Sequence, residues 1–176
     1  MTADSTIPLQ LPAPGTYRVD PQRSTLSYSG RHRFNTGTVH ATFTISSGEI
    51  RVADPLTDSV VTVTVDAASF KSNSRRRDKD VKSAKLLDVS AYPTIGFVSD
   101  RIRDEGDRWI VSGQVTAHGS TVQVDVAVDR LTPDGDGFRL HGRAEHLDRY
   151  AFGVTKGKGM VGRHLDLELD VVASPA

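Results

Sequence analysis

Apolar and polar residues alternate along most of this chain, which is the pattern of β-strands with one buried face. The alternation is clearest near the C terminus, where Leu165, Leu167, Leu169 and Val171 are separated by acidic residues. We expect a strand in each segment that shows this pattern. These segments are residues 16–19, 26–30, 39–45, 59–65, 94–102, 109–117, 121–131, 138–147 and 165–172.

Short turn sequences separate the predicted strands at residues 47–48, 104–107, 118–120 and 133–137. Strands joined by short turns pair with their neighbours in the sequence, so we expect an antiparallel meander. Closing the meander removes its exposed edges, which favours an all-β, up-and-down β-barrel of about eight strands. A two-layer sandwich gives the same alternation and stays open as the alternative architecture.

One stretch departs from the alternation. Val81, Ala84 and Leu87 are spaced three residues apart, which predicts one side of a helix over residues 74–87. Ser74 is suited to cap its first turn by accepting a hydrogen bond from a free backbone N–H group. A single helix inserted in an all-β chain is expected to act as a lid or plug over an opening of the barrel.

The chain of 176 residues is long enough for one domain with its own core, which we place at residues 16–174. Residues 1–15 contain Pro8, Pro12 and Pro14, and are expected to form an extended, disordered arm. The arm lacks the basic and continuous apolar regions of a secretory signal, and no run of about 20 apolar residues follows. We therefore expect a cytoplasmic protein with no stable membrane span.

Charge and composition narrow the function. Lys and Arg number 22, as do Asp and Glu, so no overall field draws in nucleic acid. The absence of cysteine excludes disulfides and thiolate chemistry. Two local basic clusters, residues 75–77 and 155–159, have no accompanying aromatic platform, and nucleic acid is not a predicted partner. Near a barrel mouth, either cluster could contact an anionic or quinone head group.

Candidate catalytic groups are few. The six histidines show no metal-binding spacing, and no metal site is predicted. His32 shares strand parity with Leu26 and Tyr28, so we expect it to face the interior or its mouth, as a ligand contact or as a structural histidine. Nucleophile motifs and paired carboxylates are absent, which favours a protein that is not an enzyme. The alternative is an isomerase, cyclase or hydrolase with His32 or a carboxylate at the mouth as base.

Four segments of the chain carry residues of a known family pattern. These residues are Tyr17, Asp20, Ser24, His32 and Phe43 in the opening segment, Arg77, Asp78, Ser83, Tyr92, Pro93, Ile95 and Phe97 around the helix, Thr116, His118 and Gly119 in a hairpin, and Arg149, Phe152 and Gly153 in a late element. Together the four segments resemble the YceI-like family, lipocalin-like bacterial proteins associated with polyisoprenoid binding, over residues 17–172.

The resemblance implies a lipocalin-like barrel that holds a long isoprenoid chain, such as a quinone tail or a polyprenyl phosphate, and acts as a carrier or scavenger. The expected partner is a hydrophobic small molecule or lipid, with no other cofactor, and the sequence is compatible with a homodimer. A barrel filled by its own side chains, serving as an interaction module, stays open as a further alternative. The candidate ligand-binding residues are the predicted inward positions Leu26, Tyr28, His32, Val39, Phe43, Val61, Val63, Ile95, Phe97, Val124 and Val126.

Overall fold

The computed structural model describes residues 9–32, 37–157 and 161–176. Their regular structure is mostly strand, with one α-helix and two short 3₁₀ turns at Leu56–Asp58 and Arg149–Phe152. The elements in chain order are β1 (Gly15–Val19), β2 (Thr25–His32), β3 (Gly37–Val52), β4 (Val60–Lys71), α1 (Arg75–Lys82), β5 (Thr94–Asp104), β6 (Trp109–Ala117), β7 (Ser120–Asp134), β8 (Gly137–Asp148) and β9 (Val161–Pro175).

The strands close into an antiparallel barrel, which confirms the predicted architecture and excludes the sandwich. Each of β2 to β8 pairs with the next strand in the chain, and β9 pairs back onto β2. The short strand β1 pairs with the C-terminal parts of β3 and β9, whereas β2 pairs with their earlier parts. Because β1 and β2 share one position in the wall, the closed barrel has eight strand positions.

Alternate side chains of each strand face the interior, as the pattern predicts. Leu26 on β2 lies opposite Phe43 on β3 and Leu169 on β9, and all three pack in one apolar cluster. The best-buried part of that cluster includes Ile45 and Phe138, which are 0% and 2% exposed. Sequence parity therefore gives the inward face of these strands correctly.

The two ends of the barrel differ in their covering segments. Because the strands alternate in direction, residues 72–93, 118–119 and 149–157 meet at one end, which we call the cap end. Residues 9–14, 53–59, 105–108 and 135–136 meet at the opposite end, which we call the arm end.

The predicted turn at Ser47 and Gly48 is wrong, because both residues lie inside the continuous strand β3. Register against β4 shifts between Ile45 and Ser47, so this site is a β-bulge. A Cβ atom on Gly48 would lie 2.7 Å from the Val19 side chain, which explains why glycine occupies a strand here. The chain instead reverses at residues 53–59.

The helix is shorter than the predicted range of residues 74–87. The Ser74 hydroxyl caps it as expected, by accepting a 3.2 Å hydrogen bond from the Arg77 amide. The Ser83 hydroxyl donates to the Asp80 carbonyl at 2.6 Å, and the helix ends at Lys82. Beyond this end, Leu86 is the buried residue rather than Leu87. No helix of the described residues is long and apolar enough to cross a membrane.

Part of the N-terminal arm lies against the barrel. Leu9 and Leu11 pack on the apolar cluster around Trp109, and the Tyr17 hydroxyl donates to the Ala13 carbonyl at 2.6 Å. The prediction of a disordered arm over residues 1–15 therefore does not describe residues 9–14. Residues 1–8 lie outside the described part of the chain.

An ionic contact on the outer wall joins three strands. His141 on β8 places Nδ1 2.7 Å from Asp129 of β7 and Nε2 2.6 Å from Glu168 of β9. These hydrogen bonds raise the pKa of His141 above its usual 6.5, and His141 lowers the pKa of Glu168. Because the folded-state pKa of His141 is the higher one, its stabilising contribution is complete below about pH 6.5 and is lost as pH rises through that folded-state value.

We expect His141→Asn to lower the free energy of unfolding by up to about 1 kcal/mol near pH 5.5, the range of partly exposed ion pairs, and by less at about pH 9. Urea unfolding at the two pH values measures the difference. His40→Asn is the control, because His40 is exposed on β3 and makes no ion pair within the described residues. Equal losses at both pH values for His141→Asn would contradict the assignment.

Candidate functional site

An apolar cavity of about 170 Å³ lies inside the barrel. Its wall draws on every strand from β1 to β9. Seven of the predicted site residues line it, namely Leu26, Val61, Val63, Ile95, Phe97, Val124 and Val126. Their role as ligand contacts stays a prediction, but the structure brings them together around one space. The interior is therefore hollow rather than filled along its whole length.

Three other predicted site residues lie outside the cavity lining. Tyr28 and Phe43 pack edge-to-face on Phe70, with ring centroids 5.9 and 5.4 Å apart, and Val39 is buried near them in β3. These rings fill the barrel where parity alone suggested open space. Burial raises the pKa of the Tyr28 hydroxyl, against the opposing influence of the positive charges on Arg149 and Arg77. The side chain of His32 lies outside the described residues.

At the cap end, an apolar cluster joins the segments 72–93 and 149–157 to the β6–β7 hairpin. Leu86, Phe152 and Val154 are buried there, and Val115 and Val122 of the β6–β7 hairpin pack against them. Val115 also lines the cavity, so this cap cluster and the cavity are continuous. The cap cluster therefore bounds the cavity at this end of the barrel.

Arg149 holds the connection between β8 and β9 in place. Its side chain is buried, and the guanidinium donates to the carbonyls of Gly162, Val154 and Lys156 at 2.9, 2.7 and 2.7 Å. Val154 and Lys156 lie outside the strands, so the cation supplies donors for their carbonyls. Arg149, identified from the resemblance, therefore organises the cap end from within.

A second arginine supports the same connection from outside. Arg163 donates to both carboxylate oxygens of Asp148 at 2.9 and 2.8 Å. This hydrogen bonding lowers the pKa of Asp148 to about 2, and Asp148 also accepts from the Tyr150 amide. The guanidinium groups of Arg149 and Arg163 both lie over the ring of Tyr150, at 5.0 and 4.7 Å from its centroid.

At the arm end, Leu11 and Pro12 complete the cavity wall beside Leu56 and Trp109. Trp109 is 6% exposed, and its indole Nε1 has no hydrogen-bond partner within the described structure. Sequence reasoning missed the arm residues because it assigned the arm to disorder. It also missed Trp109, which stands at the very start of a strand, although a lone tryptophan in a β-barrel is a usable signal.

The lining of this cavity is apolar and suits a hydrocarbon ligand. Among the described residues that line it, none is Asp, Glu, His, Lys or Arg. The Ser59 hydroxyl on the wall accepts a hydrogen bond from the Ala53 amide at 2.8 Å. The searched part of the chain also holds no group of three side chains that could bind a metal ion. The arrangement can hold an apolar chain, and it positions no general base against one.

Fold and cavity together define a closed antiparallel barrel with an apolar interior. A model of the YceI-like domain family matches residues 17–173, so the chain belongs to that family.

Curated relatives agree with this assignment. The chain is 35% identical to a UPF0312 protein of Pseudomonas putida over 121 residues, which is 64% of this chain and 61% of the relative. It is 29% identical to Protein YceI of Salmonella arizonae over 119 residues, 63% of this chain and 60% of the relative. The matches thus span about three fifths of the length of these relatives.

Two solved structures share the fold. Burkholderia cenocepacia BcnA superposes with a TM-score of 0.79 at 23% identity, covering 89% of this chain and 99% of that one. A polyisoprenoid binding domain from Saccharophagus degradans, implicated in plant cell wall breakdown, gives a TM-score of 0.69 at 13% identity, covering 91% and 98%. At these identities, the likeness concerns the fold alone.

Proposed function

We propose that this protein binds a single apolar chain of the isoprenoid class inside the barrel and carries or sequesters it without chemical change. The observation that carries the proposal is the continuous apolar cavity, whose described lining contains no ionisable side chain. Burying a polar or charged ligand there would cost several kcal/mol without compensating partners, whereas burying hydrocarbon is favourable. The polyisoprenoid binding domain with the same fold supports this ligand class.

The volume of the cavity sets the length that it can hold as it stands. A protein cavity of about 150 Å³ accommodates benzene, so the cavity of about 170 Å³ holds roughly one isoprene unit. A longer chain requires one end of the barrel to open. The arm end is the less firmly held, because the backbone bond from Leu9 to Gly106 is 3.4 Å long and residues 9–14 belong to no strand.

The energetics indicate that the barrel selects its ligand by the length of the apolar chain rather than by the affinity gained from each carbon. Each buried isoprene unit contributes roughly 3 to 4 kcal/mol. Eight units would nominally exceed the ceiling of about 20 kcal/mol observed for binding, so ordering and opening must offset much of this gain. The rings of Tyr28, Phe43 and Phe70 fill the interior toward the cap end, and they limit how far a chain extends.

Titration with isoprenoid alcohols of increasing length tests the proposal. Trp109 is the only tryptophan and lines the cavity, so its fluorescence reports occupancy without interference from another indole. We expect saturable changes in emission intensity, with one chain bound per barrel. Absence of binding at every length would contradict the proposal.

Loosening the arm is expected to speed entry of the ligand. Leu11→Ser removes an apolar side chain that packs over the cavity, and we expect the association rate to rise about tenfold or more. Stopped-flow fluorescence of Trp109 measures this rate. Gln10→Ala is the matched control, since Gln10 is exposed between Leu9 and Leu11. Equal rates in the parent and Leu11→Ser would show that the ligand enters elsewhere.

A further inference from the structure

The two ends of the barrel carry opposite charge, although the chain as a whole is neutral. The described connections at the cap end hold eight basic residues and three acidic ones, whereas those at the arm end hold one basic residue and five acidic ones. The cap-end charges are Arg75, Arg76, Arg77, Lys79, Lys82, Lys85, Arg149 and Lys156 against Asp78, Asp80 and Asp88; the arm-end charges are Arg108 against Asp54, Asp58, Glu105, Asp107 and Asp136.

Most of the positive charge at the cap end faces solvent. The five exposed basic side chains are Arg75, Arg76, Lys79, Lys85 and Lys156. Within the described residues, none of these five forms an ion pair. Asp78, one of the two acids of the helix, accepts hydrogen bonds from the amide and hydroxyl of Ser72. The positive field of this end is therefore not neutralised by its own acids.

An exposed aromatic side chain accompanies these charges. Tyr92 is 37% exposed, and its ring lies 4.9 Å from the ring of His118 and against Gly119. Tyrosine combines an apolar ring with a polar hydroxyl, and such rings are favoured at the boundary between water and lipid. An end of the barrel that holds both exposed basic residues and a partly exposed tyrosine has the combination that an anionic bilayer surface attracts.

The charged surface belongs to the end of the barrel that the cap cluster closes. Val81 of the helix packs against Leu86, Phe152 and Val154 of that cluster. The exposed basic side chains of the helix therefore sit on a part of the barrel that is fixed by apolar packing. The acidic arm end, by contrast, is repelled by an anionic membrane, so the field also sets the orientation.

We propose that the cap end is a docking surface for an anionic phospholipid bilayer, which holds the barrel with its arm end directed away from the membrane. Docking does not rest on the proposed function above. Attraction of exposed basic residues to anionic lipid is electrostatic, so docking weakens as salt shortens the range of the field.

Co-sedimentation with vesicles tests the docking surface. We expect the protein to bind vesicles that contain phosphatidylglycerol at least about tenfold more tightly than vesicles of phosphatidylcholine alone, and to lose this preference at high salt. Failure to bind the anionic vesicles, or equal binding to both compositions, would overturn the proposal. Binding to DNA or to an acidic protein with no binding to vesicles would overturn it as well.

A matched pair of variants separates the surface from net charge. The cap variant combines Arg75→Glu, Arg76→Glu and Lys79→Glu, and it should lose vesicle binding by about tenfold or more. The control combines Arg18→Glu, Arg51→Glu and Arg130→Glu, which are exposed wall positions, and it changes the net charge equally. The control should keep the preference for anionic vesicles, and an equal loss in both variants would overturn the proposal.

Fluorescence of Trp109 distinguishes this inference from the proposed function. The cap variant should still bind a soluble isoprenoid alcohol with the affinity of the parent, because the substituted side chains do not line the cavity. Vesicle binding by a parent protein that binds no isoprenoid would support docking and contradict the proposed cargo. Isoprenoid binding by a parent protein that ignores vesicles would overturn docking alone.

Discussion

Replacing Val63 with arginine is expected to abolish the co-purification of apolar ligand, reducing it by at least about tenfold. Val63 faces the cavity from the first part of β4, opposite Phe97 of β5. A guanidinium there occupies the space for ligand and places an unpaired charge in apolar surroundings, which costs several kcal/mol. Mass spectrometry of organic extracts from the purified parent and variant measures the loss.

Two further variants test whether the loss of ligand arises from the cavity itself, rather than from unfolding or from the added charge alone. Val124→Phe fills the cavity with hydrocarbon and no charge, and it should reduce ligand content while the barrel stays folded. Val98→Arg makes the same chemical change as Val63→Arg on the outer face of the barrel, where Val98 is 53% exposed, and it should leave ligand content unchanged. Unchanged lipid in both Val63→Arg and Val124→Phe would count against an internal binding site.

Replacing Arg149 with leucine is expected to be the most destabilising single change, lowering the free energy of unfolding by about 3 to 5 kcal/mol. The carbonyls of Val154, Lys156 and Gly162 lose hydrogen-bond donors, and the bond to Val154 is buried from water. Urea unfolding followed by circular dichroism measures the change.

Arg163→Leu is the matched control for Arg149→Leu. Its guanidinium is about half exposed in its ion pair with Asp148, so its removal should cost much less than removal of the buried Arg149. Similar losses in the two variants would show that the cap end draws no particular stability from the buried cation.

The barrel could be predicted because the alternation of apolar and polar residues has the two-residue period of a β-strand. Strand parity depends on residues two apart, and it placed Leu26, Val63, Phe97 and Val124 on the inner face. Parity does not say whether an inward residue faces open space or another ring. Tyr28 and Phe43 meet Phe70, which is distant in the sequence, and so they fill the barrel instead of lining the cavity.

Local signals failed where distant contacts decide the backbone. Ser47-Gly48 has turn composition, but Gly48 is needed because Val19 lies close to its backbone. The prolines of the arm predicted disorder. In the structure, however, Leu9 and Leu11 pack on the apolar cluster around Trp109, which is about 100 residues away in the sequence. Neither contact can be read from the neighbouring residues.

The net charge of the chain likewise does not predict the charge of each end of the barrel. The sums of basic and acidic residues cancel, which led us to expect no overall field that draws in nucleic acid. Topology places these charges at opposite ends of the barrel. Basic residues outnumber acidic ones in the connection between β4 and β5, and acidic residues outnumber basic ones in the connections at the arm end. A neutral chain therefore carries a strong local field once the strands have fixed the positions of their connections.

A crystal structure of the protein saturated with an isoprenoid alcohol tests the central claim most directly. The account predicts continuous elongated density inside the barrel, between Val63, Val124 and Leu169, with Leu11 displaced when the chain exceeds the length of the cavity. Density for the chain on the outer wall only, with the interior unchanged, would contradict it.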